Sequence, residues 1–344
     1  MLPTDASELG FGKTNSAHML LADFGSGKWH NHRIVPFSAI DLHPFSTILH
    51  YGAQVFEGLK VYRAKNSGLR LFRPKENLKR LNNSAARLCL PQIELADFMQ
   101  MLEEFITLEK DYVPTAKCTS LYLRPCIFGS DDTLGVYPPK TAKFMLVASS
   151  VGNYYKGGLK PVKILVETED IRAAIGGTGH TKAGGNYAAS LRATQKAITA
   201  GYDQVLWLDA INRRFIEEVG AMNVFFIIDG VAVTPALTGS ILPGITRMSC
   251  IELLKSKGIK VDERQITINE VVLANKSGRL TEMFGTGTAA VVSPVGTLGY
   301  NNKQHVIGNN QIGEITSYLY DTLTGIQFGD SKLGDPFNWI YKVL

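Results

Sequence analysis

The stretch VFFIIDGVAVT, residues 224–234, carries a strong fold signal. Its two apolar runs, 224–228 and 231–234, are separated by Asp229-Gly230. A two-residue loop of this composition accepts the positive φ angles of the tight turns that join antiparallel strands, so a β-hairpin is predicted here. The pattern places an antiparallel pair of short strands in the second half of the chain.

Further short β runs and two helical patterns surround the hairpin. Each helical pattern ends near a glycine, a residue that commonly terminates helices in the left-handed conformation. The segments are β runs at 162–166, 205–208 and 214–216, and helices at 187–199, before Gly201, and 246–257, before Gly258. The second half is therefore predicted to be a β-meander with inserted helices.

The first half has helical patterns among strand-like runs. In 75–88 the apolar residues recur at spacings of three and four, behind Pro74 and before Pro91, which predicts an amphipathic helix. A second helix is predicted at 95–108, and strands are predicted at 54–62, 119–123 and 143–148. This half is therefore predicted to be a mixed α/β domain.

Length and punctuation divide the chain near residue 155. At roughly 150 residues per domain, a chain of 344 residues predicts two domains. The segment SSVGNYYKGG, 149–158, lies between two strand-like runs and is the best linker candidate. We predict a small α/β domain at 1–150, a linker at 151–160 and a large domain at 161–344.

Composition argues against several classes of protein. Hydrophobic residues are 45% and charged residues 19% of the chain, as in packed globular proteins. The net charge is +5 with scattered basic residues, so no nucleic-acid partner is expected. No apolar run is long enough for a membrane span and no export signal is visible, so a soluble, cytoplasmic protein with no membrane partner is expected. The four cysteines and seven histidines lack metal-ligand spacing, so no metal is expected and the cysteines are interpreted as buried thiols.

Two glycine-rich segments resemble nucleotide sites at first sight. The first, GTGTAA at 285–290, fits GxGxxA, but a β run ended by Pro294 follows it where a dinucleotide site needs a helix. The second, GGTGHTKAGGNY at 176–187, lacks the Gly-Lys-Ser/Thr of a phosphate-binding P-loop. It instead places Lys182 among glycines, directly before a helix with Asn186 at the predicted cap position.

A crowded lysine is a nucleophile for aldehydes, and pyridoxal phosphate is the commonest aldehyde cofactor. This cofactor also needs a carboxylate for its pyridine nitrogen, a hydroxyl for its ring oxygen and a cup for its phosphate. Glu218 ends a predicted strand in apolar surroundings, where a carboxylate needs a cationic partner. The turn at 242–247, LPGITR, opens a helix with Thr246 in its first turn, a feature of phosphate sites and also of ordinary capped helices.

Six strings resemble the branched-chain amino acid aminotransferases, which are fold-type IV pyridoxal phosphate enzymes. They occur in the family's order and cover the chain from about residue 15 to near its C-terminus. The strings are HYGAQVFEGLKVYR (50–63), LYLRP (121–125), GGTGHTKAGGNYAAS (176–190), IEEVGAMNVFF (216–226), LPGITR (242–247) and FGTGTAAVVSPVG (284–296). The resemblance implies an α/β (α+β) fold with a small domain and a larger, pseudo-barrel domain that binds pyridoxal 5′-phosphate.

The resemblance also implies an activity and a set of cofactor residues. The activity is reversible transfer of the amino group between L-leucine, L-isoleucine or L-valine and 2-oxoglutarate, which becomes glutamate. Lys182 would form the Schiff base and act as general base, and Glu218 would bind the pyridine nitrogen. The other implied cofactor residues are Arg80 at the phosphate, Tyr187 at the ring oxygen, Leu242 on the ring face, and Ile245, Thr246 and Thr288 in the phosphate cup.

For the substrate pocket, the resemblance implies aromatic walls with polar groups at the edge. The implied residues are Tyr51, Phe56 and Tyr187 as walls, Tyr122 and Arg124 at the rim, Thr288 and Ala289 at the α-carboxylate, and Tyr154 at the entrance. Leu134 and Val136 would come from a neighbouring subunit, which implies a homodimer.

The chain departs from the family pattern at a few positions, and other functions stay open. Ala290 and Ser293 stand where some members of the family have a CxxC pair, so no thiol switch is expected. Ala221 stands where related sequences often have a hydroxyl-bearing residue. A D-amino acid aminotransferase, or a lyase acting on a chorismate-derived amine, would share the fold and cofactor. A cofactor-free Schiff-base aldolase is a more distant alternative, and so is a non-catalytic binding module.

Overall fold

The computed structural model describes residues 8–65, 68–152, 158–330 and 332–344. The strands are β1 (Thr14–Asn15), β2 (His18–Gly25), β3 (Lys28–Pro36), β4 (Gln54–Phe56), β5 (Leu59–Arg63), β6 (Leu69–Phe72), β7 (Ser120–Gly129), β8 (Ala142–Val151), β9 (Val162–Val166), β10 (Gln204–Leu208), β11 (Ile216–Val219), β12 (Asn223–Ile228), β13 (Val231–Thr234), β14 (Val261–Glu263), β15 (Leu280–Gly287), β16 (Val291–Tyr300), β17 (Lys303–Val306) and β18 (Ile340–Lys342). The helices are α1 (Thr47–Tyr51), α2 (Pro74–Arg87), α3 (Leu95–Leu108), α4 (Gly184–Ala188), α5 (Leu191–Thr199), α6 (Ile245–Ser256), α7 (Ile268–Lys276) and α8 (Glu314–Phe328), with 3₁₀ turns at Lys110–Tyr112 and Gly308–Asn310.

The chain forms two compact units. The first comprises the described residues within Met1–Lys156, Thr181–Gly184 and Gly325–Leu344, and the second those within Gly157–His180 and Gly185–Thr324. The four residues Thr181–Gly184, which include Lys182, thus belong to the first unit. The predicted domain limits, 1–150 and 161–344, stay a prediction.

In its described part, the first unit is built on a nine-stranded sheet. The strand order is β18-β6-β5-β7-β8-β2-β3, with β1 on β8 and β4 on β7. The predicted helices at 75–88 and 95–108 are confirmed as α2 and α3, and Pro74 begins α2 because a proline suits the first helical position. The apolar stripe of α2, including Leu78 and Leu81, is buried in the same core as Phe98, Phe105 and Phe144. The amphipathic spacing therefore predicted which helix faces are buried.

In the residues that the structure describes, the second unit is built on another nine-stranded sheet. Its order is β11-β10-β9-β16-β15-β12-β13-β14, with β17 on β16. The hairpin of β12 and β13 is confirmed, and both turn residues have positive φ, 51° at Asp229 and 75° at Gly230. The sheet departs from a simple meander because β9 pairs in parallel with both β10 and β16, and β13 pairs in parallel with β14.

Several element boundaries differ from the prediction. The strand expected at 54–62 is interrupted at Glu57-Gly58, and the helix expected at 187–199 is two helices, α4 and α5. The strand expected at 214–216 is Ile216–Val219. Strand β16 continues through Pro294, which pairs with Phe284, so the expectation that the proline ends the strand was wrong. The segment 288–290 is a turn between β15 and β16, which confirms that no dinucleotide-binding helix follows GTGTAA.

The cysteines only partly match the expectation of burial. Cys126 and Cys250 are buried, Cys118 is half-buried and Cys89 is exposed. Cys89 was predicted wrongly because it follows the end of α2 in the left-handed conformation, with φ 55°. Among the described residues, no group of three His, Cys, Asp or Glu side chains is arranged to hold a metal ion. No helix in the described ranges has the length and apolar character needed to cross a membrane.

Candidate active site

Lys182 is anchored in the first unit by its own backbone. Its amide donates a hydrogen bond to Ser84 Oγ at 3.0 Å, and its carbonyl accepts one from the amide of Phe56 at 3.0 Å. Ala183 forms an antiparallel bridge with Val55. The lysine segment therefore pairs with strand β4 and contacts helix α2. Lys182 Nζ lies 4.7 Å from the centre of the Phe56 ring.

Arg80 in helix α2 forms a buried ion pair with Glu57. Arg80 Nε donates to Glu57 Oε1 at 2.7 Å and Arg80 Nη2 donates to Oε2 at 3.0 Å. Asn77 Nδ2 also donates to Oε2, at 2.8 Å. Two parallel hydrogen bonds fix the plane of the guanidinium as well as its position. The phosphate arginine implied by the resemblance is thus held by an acid in the loop between β4 and β5.

Glu57 is fully buried, and its charge depends on its neighbours. Burial by itself raises the pKa of Glu57, but the charge and hydrogen bonds of Arg80, the charge of Lys182 and the hydrogen bond from Asn77 outweigh it and hold the pKa below its usual value. Sequence reasoning missed Glu57. The available signal was an acid inside the apolar string QVFEGLKV, where a carboxylate is costly without a cation.

An aromatic and cationic surface lies beside Lys182 in the first unit. The Arg124 guanidinium carbon lies 4.5 Å from the centre of the Phe56 ring and 5.3 Å from that of Tyr122. Arg124 Nη2 donates to the Tyr122 hydroxyl at 3.0 Å. The structure therefore brings together four of the predicted site residues, which are Phe56, Tyr122, Arg124 and Lys182.

The other predicted substrate residues of the first unit are on its surface or outside the described ranges. Tyr51 ends α1 with 45% of its surface exposed. Leu134 and Val136 lie in the segment between β7 and β8 and are 51% and 88% exposed. Tyr154 lies outside the described residues. Both apolar side chains at 134 and 136 are therefore exposed to solvent.

In the second unit, Glu218 lies near the end of β11 and is buried, with 3% exposure. Its Oε1 accepts a hydrogen bond from the Leu242 amide at 2.7 Å. Arg172 Nη2 lies 3.2 Å from the same oxygen. The cationic partner that a buried carboxylate requires is therefore Arg172, which sequence reasoning did not anticipate.

Helix α6 presents a suitable N-terminus for an anion. Gly244, its N-cap residue, has no side chain with which to accept from the amides of the first turn, where Ile245 and Thr246 lie. A Cβ at Gly244 would collide with Asn223 Oδ1, and Asn223 Nδ2 donates to the Leu242 carbonyl at 2.9 Å. The turn before the helix is thus held by a side chain that leaves room only for glycine.

Tyr187 and the Thr288-Ala289 pair are also in the second unit. Tyr187 is half-buried in α4, and Thr288 and Ala289 lie in the turn after β15. Asn186 was predicted at a helix cap, but it lies inside α4. Its side chain makes two hydrogen bonds with Thr178. The Thr178 hydroxyl donates to Asn186 Oδ1 at 2.7 Å, and Asn186 Nδ2 donates to the Thr178 carbonyl at 2.8 Å. The cap prediction was therefore wrong, because this amide joins α4 to the preceding glycine-rich loop.

Similarity to known proteins identifies the family. Residues 54–298 match the family described as amino-transferase class IV. The chain belongs to this family. It is 50% identical over 341 residues to branched-chain-amino-acid transaminase 1 of Bacillus subtilis (strain 168), covering 98% of this chain and 95% of that protein.

Solved structures of aminotransferases share the fold. The branched-chain amino acid aminotransferase of Escherichia coli superimposes with a TM-score of 0.81 at 28% identity, covering 96% of this chain and 100% of that one. The T.th. branched-chain amino acid aminotransferase, solved with pyridoxamine 5′-phosphate, gives 0.79 at 27% identity, with coverages of 96% and 100%. The expected two-domain α/β aminotransferase fold is therefore confirmed.

Class IV aminotransferases use pyridoxal 5′-phosphate, so this transaminase is a pyridoxal-phosphate enzyme. The residues present fit that cofactor. The first unit supplies a lysine and an arginine, Lys182 and Arg80, and the second supplies a buried carboxylate and a helix N-terminus with the Thr246 hydroxyl. These are the donors and acceptors that an aldehyde, a phosphate and a pyridine nitrogen require.

Proposed function

We propose that this transaminase transfers the amino group reversibly between branched-chain L-amino acids and 2-oxoglutarate, with glutamate as the second product. The identity to the Bacillus subtilis protein over nearly the full length of both chains supports this choice over a D-amino acid aminotransferase. The main structural support for the proposal is the Phe56 ring. Lys182 Nζ lies 4.7 Å from the centre of this ring, and the Arg124 guanidinium carbon lies 4.5 Å from it. One apolar surface is thus paired with two cations.

That pairing suits the two kinds of substrate. An aliphatic side chain packs on the Phe56 ring, with Tyr51 and Tyr187 as further walls, because burying apolar area is favourable for any of the three branched chains. The side-chain carboxylate of glutamate or 2-oxoglutarate instead binds Arg124, whose guanidinium already hydrogen-bonds the Tyr122 hydroxyl. The Thr288-Ala289 amides bind the α-carboxylate that all these substrates share.

Each cofactor residue has a separate task in this proposal. When bound, pyridoxal phosphate supplies an aldehyde for covalent attachment and a ring that accepts electrons from the substrate's Cα. Lys182 Nζ would hold the cofactor through its aldehyde, and as general base the lysine amine would accept the proton that leaves the substrate's Cα. Glu218 binds the pyridine nitrogen and keeps it protonated. Tyr187 donates to the ring oxygen and Leu242 covers the ring face.

Three kinds of group would bind the phosphate in the proposal. Arg80 supplies the positive charge, held in place by Glu57 at 2.7 and 3.0 Å. The amides of Ile245 and Thr246 supply the donors of a helix N-terminus, and the Thr246 and Thr288 hydroxyls add two more. Because these groups do not include Lys182, the cofactor can be retained without the covalent bond.

We also propose a cytoplasmic homodimer. The exposed apolar side chains of Leu134 and Val136 support the assembly, since a dimer would bury them and bring them to the partner's substrate pocket. Size-exclusion chromatography with light scattering tests this. Val136→Asp should yield monomers with reduced activity, whereas Ile211→Asp, another apolar position with 80% exposure, should leave the dimer intact.

The activity itself is tested with purified protein and added pyridoxal phosphate. Incubation with L-leucine and 2-oxoglutarate should produce glutamate, and the absorption of the bound cofactor should change when L-leucine is added alone. Lys182→Ala is the matched control and should produce no glutamate. Activity with D-alanine and none with L-leucine would reject the proposal.

A further inference from the structure

Arg172 lies at the centre of a buried polar cluster in the second unit. Its side chain is 8% exposed, and it lies 3.2 Å from Glu218 Oε1. Its Nη2 also donates to the backbone carbonyls of Gly179, at 3.0 Å, and of Ser240. The Ser240 hydroxyl in turn donates to Glu217 Oε1. One guanidinium thus joins a carboxylate to two separate loops.

The cluster contains two adjacent carboxylates and one cation. Glu217 and Glu218 are 5% and 3% exposed, so neither charge is stabilised by water. Burial raises the pKa of Glu217, and the nearby charges of Glu218 and Asp209 add to the rise, while Ser240 and Arg172 oppose it. Glu217 Oε2 also has no hydrogen-bond partner among the described residues. The 3.2 Å contact therefore pairs the positive charge of Arg172 with Glu218, the nearer of its two partners in this cluster.

The loops that Arg172 joins are those on which the Glu218 contacts depend. A Cβ at Gly179 would collide with the Ser240 carbonyl, so the two loops touch where the guanidinium binds them. Two residues after Ser240, the Leu242 amide donates to Glu218 Oε1, the oxygen that Arg172 approaches. Loss of Arg172 would therefore remove the cation beside Glu218. It would also free the loop whose Leu242 amide donates to Glu218.

We propose that Arg172 is a positioning residue for the transamination, holding Glu218 ionised and in place for the pyridine nitrogen. The inference rests on the proposed function. Arg172 is in direct contact with the Glu218 carboxylate, so it is closer to that negative charge than to a pyridine nitrogen bound by Glu218. It therefore favours the state in which Glu218 is charged and the ring nitrogen carries the proton.

The test is a double-mutant cycle between Arg172 and Glu218. The variants are Arg172→Met, Glu218→Gln and the pair together, with Arg172→Lys as the conservative variant and Arg192→Lys as the control at an arginine whose side chain is 72% exposed. Two quantities are measured on the protein loaded with pyridoxal phosphate. They are kcat and KM for L-leucine, and the pH midpoint of the change in absorption of the bound cofactor.

We expect Arg172→Met to lower kcat by about 100-fold, with KM changed far less, since misplacing a reacting group acts on the chemical step. The pH midpoint should rise by about 1 unit. A ring that holds its proton less firmly withdraws less electron density from the cofactor group that titrates, so that group keeps its proton to a higher pH. Arg172→Lys should restore part of both, and Arg192→Lys should match the wild type. In the Glu218→Gln background, removing Arg172 should have little further effect.

Additive effects of the two substitutions, or an unchanged pH midpoint in Arg172→Met, would overturn the proposal. If Arg172→Met does not fold, the cycle is carried out with Arg172→Lys, which keeps the charge and loses the branched contacts to the two carbonyls. If the wild type does not transaminate L-leucine, the proposed function fails, but the pH midpoints of the four cycle proteins still decide the role of Arg172.

Discussion

Replacing Glu57 by Gln should destabilise the first unit strongly. The side chain is fully buried and accepts from Arg80, from Asn77 and from the Gly58 amide at 3.0 Å. Glutamine keeps the size and one acceptor oxygen but removes the negative charge. Arg80, with 7% of its side chain exposed, would then lose the carboxylate that balances its charge.

The size of the effect follows from that geometry. Breaking a buried ion pair by removing one partner costs about 3–5 kcal/mol, and the retained acceptor oxygen favours the lower end, about 3 kcal/mol. For a unit of this size, 1 kcal/mol corresponds to a change of about 2–4 °C in melting temperature, so the expected decrease is about 6–12 °C.

The pH dependence has a defined sign. The pKa of Glu57 is lowered in the folded state, so its charge stabilises the fold above its ordinary value of 4.5, and this contribution is lost as the pH falls through the lowered pKa. The difference between the wild type and Glu57→Gln should therefore be complete at neutral pH and shrink in acid.

The assay is urea and thermal unfolding of the cofactor-free protein, followed by circular dichroism. Glu94→Gln, at an exposed position, is the matched control and should unfold within about 0.5 kcal/mol of the wild type. Added pyridoxal phosphate should narrow the gap for Glu57→Gln, because its phosphate gives Arg80 a new partner. Unfolding of Glu57→Gln at the wild-type free energy would refute the account of the ion pair.

Four further outcomes are expected. Lys182→Ala should lower turnover by about 10⁴-fold or more while the protein still retains pyridoxal phosphate in dialysis, whereas Arg80→Ala should weaken cofactor affinity by about 10–100-fold in a fluorescence titration. Because the pKa of Glu217 is raised, the wild type loses stability as the pH rises from the ordinary value of 4.5 towards the raised pKa, so the stability of Glu217→Gln relative to the wild type should increase over that range in urea unfolding. Gly230→Ala, at φ 75° in the hairpin turn, should cost about 1–2 kcal/mol in the same assay, and no loss there would contradict the turn assignment.

Local patterns predicted much of the fold. The Asp229-Gly230 turn and the apolar stripes of α2 and α3 are signals that reside within a few residues, and all three elements are confirmed. The same holds for the two glycines that follow α5 and α6, since both Gly201 and Gly258 have positive φ. Where one short stretch contains both the cause and the result, the sequence suffices.

Pairings between distant segments were not predictable in this way. Strand β9 pairs with β10 and β16 in parallel, and β18 pairs with β6, although none of these three pairings has a local pattern that selects the partner. The expected strand is interrupted at Glu57, whose side chain also pairs with a distant residue, Arg80, 23 residues away. Such contacts are determined by the packing of the whole unit.

Two acids of the site, one missed from the sequence and one assigned without its cationic partner, follow one physical rule. Glu57 and Glu218 each lie beside apolar strand residues, and each is paired with a buried arginine, Arg80 and Arg172. A carboxylate in such a place is stable only with a cation, so an acid within an apolar run predicts an arginine even when its position is unknown. Glu217 tests the rule from the other side. It is similarly buried, but Arg172 contacts Glu218 instead, and the pKa of Glu217 is raised, chiefly by burial, as expected for a carboxylate whose charge is less well balanced.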